Sequence, residues 1–179
     1  MAATRTLVTR DGYDQVSIDA IAREAGVSRP TVYRRWPSKA HVVFEAVFGT
    51  PGDYGEPVGS GDFATDLRQF VRGAIEFWGE PAVRAAALGI LAERSRDPEL
   101  HIRTQQLLDQ QTLSAFGALV QRGVADGQLR ADLEVELLYE LLIGTTFYAV
   151  HVQHRDDVET IVDQLCSLVL RGAERKEHP

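Results

Sequence analysis

Val16-Ser-Ile-Asp-Ala-Ile-Ala-Arg-Glu-Ala-Gly-Val-Ser-Arg-Pro-Thr-Val-Tyr-Arg-Arg-Trp36 carries more structural information than any other stretch of this chain. It reads as two short helices joined by a tight turn. Ser17 suits an N-cap, and Ile18, Ile21, Ala22 and Ala25 follow at helical spacing. Gly26 ends the first helix, where a residue able to take a left-handed conformation is favoured. Ser28 caps the second helix, and Pro30 falls in its first turn, where a missing N–H is tolerated. Pro37 pushes Trp36 out of the helical region and so stops that helix. A short helix, a glycine turn and a second helix bearing Arg29, Thr31, Tyr33, Arg34 and Arg35 make a helix-turn-helix. Ile21, Ala25, Val27, Val32 and Trp36 are its expected core.

Asp11-Gly12-Tyr13 precedes the motif, and Trp36-Pro-Ser-Lys39 leads into another apolar helix, Ala40 to Phe48. The order Gly-Tyr, Ile-Ala-x-x-Ala-Gly-Val-Ser, Thr-Val-Tyr, Trp-Pro-Ser-Lys resembles the TetR family of transcriptional regulators over residues 7–48. The resemblance implies a three-helix DNA-binding head on a helical regulatory body, acting as a repressor released from its operator by a small molecule. Met1 stands only eleven residues ahead of Gly12, whereas the first helix of the family normally begins earlier, so two readings stay open: a truncated first helix, or a protein that starts here. Arg96-Asp-Pro-Glu-Leu100 and Gly123-Val-Ala-Asp-Gly-Gln-Leu-Arg-Ala-Asp132 resemble, more loosely, a TetR-type regulatory domain.

The 179 residues hold 44% hydrophobic and 25% charged residues, an ordinary globular balance for one or two small domains. No apolar run is long enough to span a membrane, and the N-terminus lacks the pattern of a signal peptide. The single cysteine, Cys166, excludes an intramolecular disulfide and fits a cytoplasmic protein. The net charge of −7 argues against DNA binding only if taken whole. Residues 1–50 carry seven basic and five acidic residues (+2), which leaves −9 on residues 51–179. An acidic body repels DNA and leaves the basic head to approach it.

Glycines and prolines between residues 49 and 61 preclude continuous helix. They divide the chain into an N-terminal domain (1–48), a linker (49–61) and a C-terminal domain (62–179). Every long segment beyond the linker has helical periodicity, so the expected fold class is all-α. Asp62 caps a helix with Phe63, Leu67, Phe70, Val71, Ala74, Phe77 and Trp78 on one stripe. Pro81 opens the next, with Val83, Ala86, Ala87, Ile90 and Leu91 inward. A long helix is expected from Pro98 to about Asp126, with Leu100, Leu107, Leu108, Ala115, Phe116, Leu119 and Val120 as core candidates. Two more follow, at about 133–151 and 156–174.

Candidate sites divide by chemistry. Arg29 and Thr31 lie at the end of the second motif helix that enters the major groove. Arginine can form paired hydrogen bonds with guanine, and the threonine methyl can touch thymine. Ser17 and Ser28 sit at helix starts, where backbone N–H groups favour phosphate. The family resemblance implies phosphate contacts for Tyr33, Arg34, Arg35 and Lys39, and places Pro30 in the same surface. The helix at 133–151 is apolar on nearly every face and calls for cover from a second subunit. Leu138, Leu142, Thr145 and Phe147, with Ile161, Leu165 and Leu168 of the last helix, are the interface candidates of a two-fold homodimer. Phe77, Trp78, Leu91, Phe116, Phe147 and Tyr148 are the candidate walls of an effector cavity, which implies a mainly apolar ligand. His151 and His154 are spaced like metal ligands but have no third partner, so they read as a solvated turn, and neither metal nor cofactor is expected. No catalytic motif is present, so the chain does not read as an enzyme. The alternative reading is a ligand-binding or sequestering helical protein with little DNA affinity.

Overall fold

A computed structural model describes residues 1–49, 59–106 and 112–173. Among these residues there are ten helices and no β-strand. The helices are α1 (Ala2–Asp11), α2 (Ile18–Glu24), α3 (Arg29–Arg35), α4 (Lys39–Phe48), α5 (Phe63–Gly79), α6 (Pro81–Arg94), α7 (Pro98–Gln106), α8 (Ser114–Ala125), α9 (Val135–His151) and α10 (Val158–Ala173).

Their ends follow local chemistry. Ser17 Oγ accepts from Ala20 N at 3.2 Å and Ser28 Oγ from Thr31 N at 3.4 Å, each satisfying one orphan N–H of a first turn. Asp62 caps α5 through Thr65 N, Glu80 caps α6 through Val83 N, and Asp97 accepts from Glu99 and Leu100 at the start of α7. The centre of the long helix expected after Pro98, with Leu107 and Leu108, lies outside the described residues, as does most of the linker.

Packing groups the helices into two compact units that do not follow chain order. α6 and α7 belong with α1–α4, whereas α5 packs with α8, α9 and α10. The first unit is built around α4, which lies against α1 and α6 and buries Ala40, His41, Val42, Val43, Phe44, Ala46, Val47 and Phe48. Tyr13 is buried in this unit against Gly89 of α6, and its hydroxyl donates to Glu93 Oε1 at 3.3 Å. In the second unit α5 lies between α9 and α10 and buries Phe63, Leu67, Val71, Ile75 and Trp78. Arg68 pairs with Asp163, and Arg72 pairs with Glu159 at 2.7 Å, tying α5 to α10 at the surface.

Candidate nucleic-acid interface

The motif forms as its capping residues dictate. Gly26 takes φ 66°, and Val27 N donates to Ala22 O at 2.9 Å, closing the turn behind α2. A seven-residue helix is unstable alone, so α3 depends on packing. Val32 supplies it, 2% exposed, with Ile18, Ile21 and Ala22 of α2 also buried. Three expected core residues are not core. Ala25 is exposed, Val27 is 42% exposed, and Trp36 is half-buried. Ala25 is the C-cap, past the last residue of α2, and the left-handed step at Gly26 breaks helical phase, so Val27 and Trp36 do not continue the buried stripe of α2.

With Val32 inward, α3 turns its polar residues to solvent. Arg29, Pro30, Tyr33, Arg34 and Arg35 are exposed, as are Ser17 and Ser28, while Thr31 and Lys39 are half-buried. Thr31 Oγ1 is 2.8 Å from Ser28 Oγ. Several of the cations are already engaged within the chain. Arg29 Nε lies 3.2 Å from Asp19 Oδ1, and its Nη2 donates to the Tyr33 hydroxyl at 3.4 Å. Arg35 donates to Glu45 Oε1 at 3.0 Å and stacks over Trp36, whose indole N–H donates to Glu45 Oε2 at 2.8 Å. Lys39 Nζ donates to the Tyr13 carbonyl at 3.0 Å and sits 4.2 Å from the centre of the Tyr13 ring. The two acids, Asp19 and Glu45, are members of this surface that the sequence reading left out. Each lies ten residues from its arginine, and only the crossing of two helices brings them together.

The second unit separates the other candidates. Leu142, Ile161 and Leu165 are buried within the single chain and belong to its own core, not to an interface. Leu138 and Phe147 are half-buried, whereas Thr145 is exposed and Leu168 is 67% exposed. The outward face of α9 instead carries Leu137, Leu141, Tyr148 and Val152, with Leu137 62% exposed. These recur at helical spacing with Gly144 and Thr145 between them. At 53% exposed, Tyr148 cannot wall an enclosed cavity, and Leu91 is exposed on α6 in the other unit.

The remaining aromatic candidates fall into two clusters. Trp78 packs against Phe77, edge-on to Phe147 at 5.1 Å, and beside His151 at 5.6 Å. Phe116 packs instead with Phe70 and Tyr139. His151 is thus buried in an aromatic cluster and is not part of a solvated turn, while His154 is exposed at φ 54°. The Trp78 indole N–H is buried without a hydrogen-bond partner among the described residues. A groove of about 440 Å³ opens between α8 and the start of α9, lined by Leu113, Gly117, Leu133 and Val135 among others. A small cavity of about 100 Å³ lies beside Phe63 and Leu119. None of the aromatic candidates lines either space. Among the described residues no three metal-binding side chains cluster, and no helix is long and apolar enough to cross a membrane.

A folded helix-turn-helix with a basic outer helix, in a chain that also carries a second helical unit with an exposed apolar face, is the build of a DNA-binding regulator. Residues 1–46 match the family described as bacterial regulatory proteins, tetR family, and residues 57–169 match the tetracyclin repressor-like C-terminal domain. The chain belongs to the TetR family of transcriptional regulators; it is not an enzyme. It is 29% identical over 169 residues to an uncharacterized HTH-type transcriptional regulator of Mycobacterium tuberculosis, covering 92% of this chain and 83% of that one. It is 28% identical over 148 residues to the DNA-binding transcriptional repressor TetR of Mycobacteroides abscessus, covering 79% and 74%. The fold matches that of the transcriptional regulator FadR from Bacillus subtilis, solved in complex with stearoyl-CoA. The TM-score is 0.76 at 18% identity, covering 96% of each chain. These likenesses do not favour the sequestering alternative.

Proposed function

We infer that the chain is an operator-binding repressor, acting as a homodimer and released from DNA by a small, mainly apolar effector. The observation that carries this is α3, held by one buried residue, Val32, with its whole basic surface outward. In a two-fold dimer, two such helices read half-sites roughly one helical turn or more apart. Arg29 and Thr31 take the base-reading positions at the N-terminal end of α3, beside Pro30. Ser17, Ser28, Tyr33, Arg34, Arg35 and Lys39 are the phosphate set. Lys39 has a further role, since its bond to the Tyr13 carbonyl fixes the start of α4.

The exposed stripe of α9, with Leu168 of α10, supports the dimer; large contiguous apolar faces on a soluble protein mark interaction surfaces. For the effector, the Trp78–Phe147–His151 cluster is the best-supported contact. A buried donor without a partner costs about 1–3 kcal/mol, so a ligand carrying a hydrogen-bond acceptor would gain at the Trp78 indole. The FadR structure with stearoyl-CoA supplies an example of a ligand with a long apolar chain in the same fold. Fluorescence anisotropy on duplexes from the gene's own upstream region tests the reading. Sequence-selective, salt-sensitive binding that a stabilising ligand abolishes is the expected result. Equal affinity for all duplexes would overturn it.

A further inference from the structure

The reading surface contains an acid where DNA affinity alone would favour none. Asp19 is the second residue of α2, exposed, and faces Arg29, the first residue of α3. Its Oδ1 lies 3.2 Å from Arg29 Nε, and its Oδ2 accepts from Nη1 at 3.4 Å. On the other side the Tyr33 hydroxyl accepts from Nη2 at 3.4 Å, and the guanidinium carbon lies 5.4 Å from the centre of the Tyr33 ring. Arg29 is therefore held between a carboxylate and a phenol. Arg34, on the same helix, has no comparable clamp among the described residues.

We propose that Asp19 is a specificity-determining positioning residue: it aims Arg29 at a guanine edge and weakens its attraction to phosphate. The proposal rests on the operator-binding reading above. A carboxylate beside a phosphate backbone lowers affinity for every sequence alike, because the duplex is uniformly negative. Its compensating effect must therefore differ between sequences. Pairing cancels the net charge at this end of α3, so a phosphate, recognised mainly by charge, gains little from Arg29. A guanine is recognised by two in-plane donors on O6 and N7, and a guanidinium offers five N–H groups. The contacts to Asp19 and Tyr33 engage Nε and one N–H each of Nη1 and Nη2, and leave one N–H on each terminal nitrogen for a paired contact. Held from both sides, the group also loses less rotamer freedom on binding.

The other acid of the surface makes a useful contrast. Glu45 also accepts from the Trp36 indole N–H at 2.8 Å, so it fastens the end of α3 to α4 whether or not Arg35 is present. Asp19 makes no such second link among the described residues. Its one competing role is to complement the positive end of the α2 dipole, which would affect stability but not sequence preference.

Site selection from a random-sequence duplex pool separates these roles. The full chain is used as wild type, Asp19→Asn, Asp19→Ala, Arg29→Ala and Asp19→Asn/Arg29→Ala. The wild type should enrich a two-fold site with one guanine per half-site that Arg29→Ala no longer selects. Asp19→Asn and Asp19→Ala should keep the rest of the site but lose about five-fold or more of that guanine preference. Their binding to unselected duplex should rise, with a log–log salt slope steeper by roughly 0.9, one phosphate's worth. The double variant should match Arg29→Ala in sequence preference, since Asp19 acts on selectivity only through Arg29, while its binding to all duplexes alike should rise with the loss of the carboxylate. Full guanine preference in the Asp19 variants would overturn the proposal. So would an equal loss at every position with a lower melting temperature, or a double variant worse than Arg29→Ala. A wild type that enriches no sequence would overturn the operator-binding reading itself, and this proposal with it.

Discussion

Gly89→Ala tests the packing that holds the first unit together. Gly89 and Glu93 lie one turn apart on α6 and both face Tyr13. A Cβ at position 89 would stand 2.2 Å from Tyr13 Cδ1 and 2.6 Å from Cγ, where ordinary contact begins at 3.4 Å. The ring must therefore retreat by more than an ångström. It is boxed in, with its hydroxyl on Glu93 at 3.3 Å and the Lys39 ammonium 4.2 Å from its centre. Overpacking of this kind costs about 1–3 kcal/mol. Loss of the hydroxyl bond adds about 1 kcal/mol. Against these, alanine in a helix interior is worth about 0.5–1 kcal/mol over glycine. The clash wins, by about 1–3 kcal/mol. At roughly 2–4 °C per kcal/mol, the melting temperature should fall by about 2–12 °C. Gly73→Ala on α5 is the control, because its Cβ meets nothing within 4 Å. It should gain about 0.5–1 kcal/mol. Adding Tyr13→Leu to Gly89→Ala should recover part of the loss in a double-mutant cycle. The reasoning fails if Gly89→Ala melts at or above the wild type, or if the cycle shows no coupling.

Leu141→Glu should leave a folded monomer by light scattering, because Leu141 is exposed on α9 in the single chain. Leu142→Glu should instead unfold the protein, since burying an unpaired carboxylate costs on the order of 4 kcal/mol or more. Arg34→Ala should weaken binding about equally on all duplexes and lower the log–log salt slope by roughly 0.9; a change confined to one sequence would contradict a phosphate role. Burial pushes the Cys166 thiol from its ordinary 9.0 up to about 11. The unfolded chain therefore loses this proton first. The contribution to stability is complete below about pH 9 and is lost as pH rises through about 11. Urea midpoints measured across that range should fall more steeply for the wild type than for Cys166→Ala; parallel slopes would count against the shift.

What could be read from the sequence was what local chemistry determines. Ser17, Gly26, Ser28 and Pro37 each act on the few residues beside them, so the motif and its boundaries follow from spacing alone. The same holds for Asp62 before α5 and Pro81 at the start of α6. Interactions between distant segments could not be read in this way. That Asp19 meets Arg29, and Glu45 meets Arg35, depends on how two helices cross. The grouping of α6 and α7 with the head depends on α6 packing against α1 and α4, with Tyr13 against Gly89, which no linker composition reports. Helix α9 was illegible for a different reason. Apolar on most faces, it carries no phase, so Leu142 and Leu141 look alike until the position of α5 makes one of them core. Histidine is ambiguous in a similar way. His151 has a polar ring that packs as an aromatic once Trp78 and Phe147 lie beside it.

Helix α9 also shows how one element could serve both halves of the proposed mechanism. Its inner face carries Leu142, Thr146, Ala149, Val150 and His151, with Phe147 against Trp78. Its outer face carries Leu137, Leu141, Tyr148 and Val152. Thr146 Oγ1 donates within the helix, at 2.9 Å from Leu142 O and 3.0 Å from Ile143 O, whereas the Tyr139 hydroxyl reaches out of α9 to Thr112 Oγ1 at 2.9 Å. Beyond Tyr139 the inner face packs largely through apolar side chains, Leu142, Phe147, Ala149 and Val150, and such contacts permit small sliding more readily than directional bonds do. A ligand accepting from Trp78 would press on Phe147 and His151, and α9 would carry that shift to the leucines of the proposed dimer seam. Tight binding alone would accomplish nothing. The ligand must favour one arrangement of α9 over the other, and by linkage operator DNA must then weaken ligand binding by the same factor by which the ligand weakens DNA binding. A release mechanism of this kind needs no contact between effector and DNA, only two packings of α9 that differ in the spacing they impose on the two reading helices.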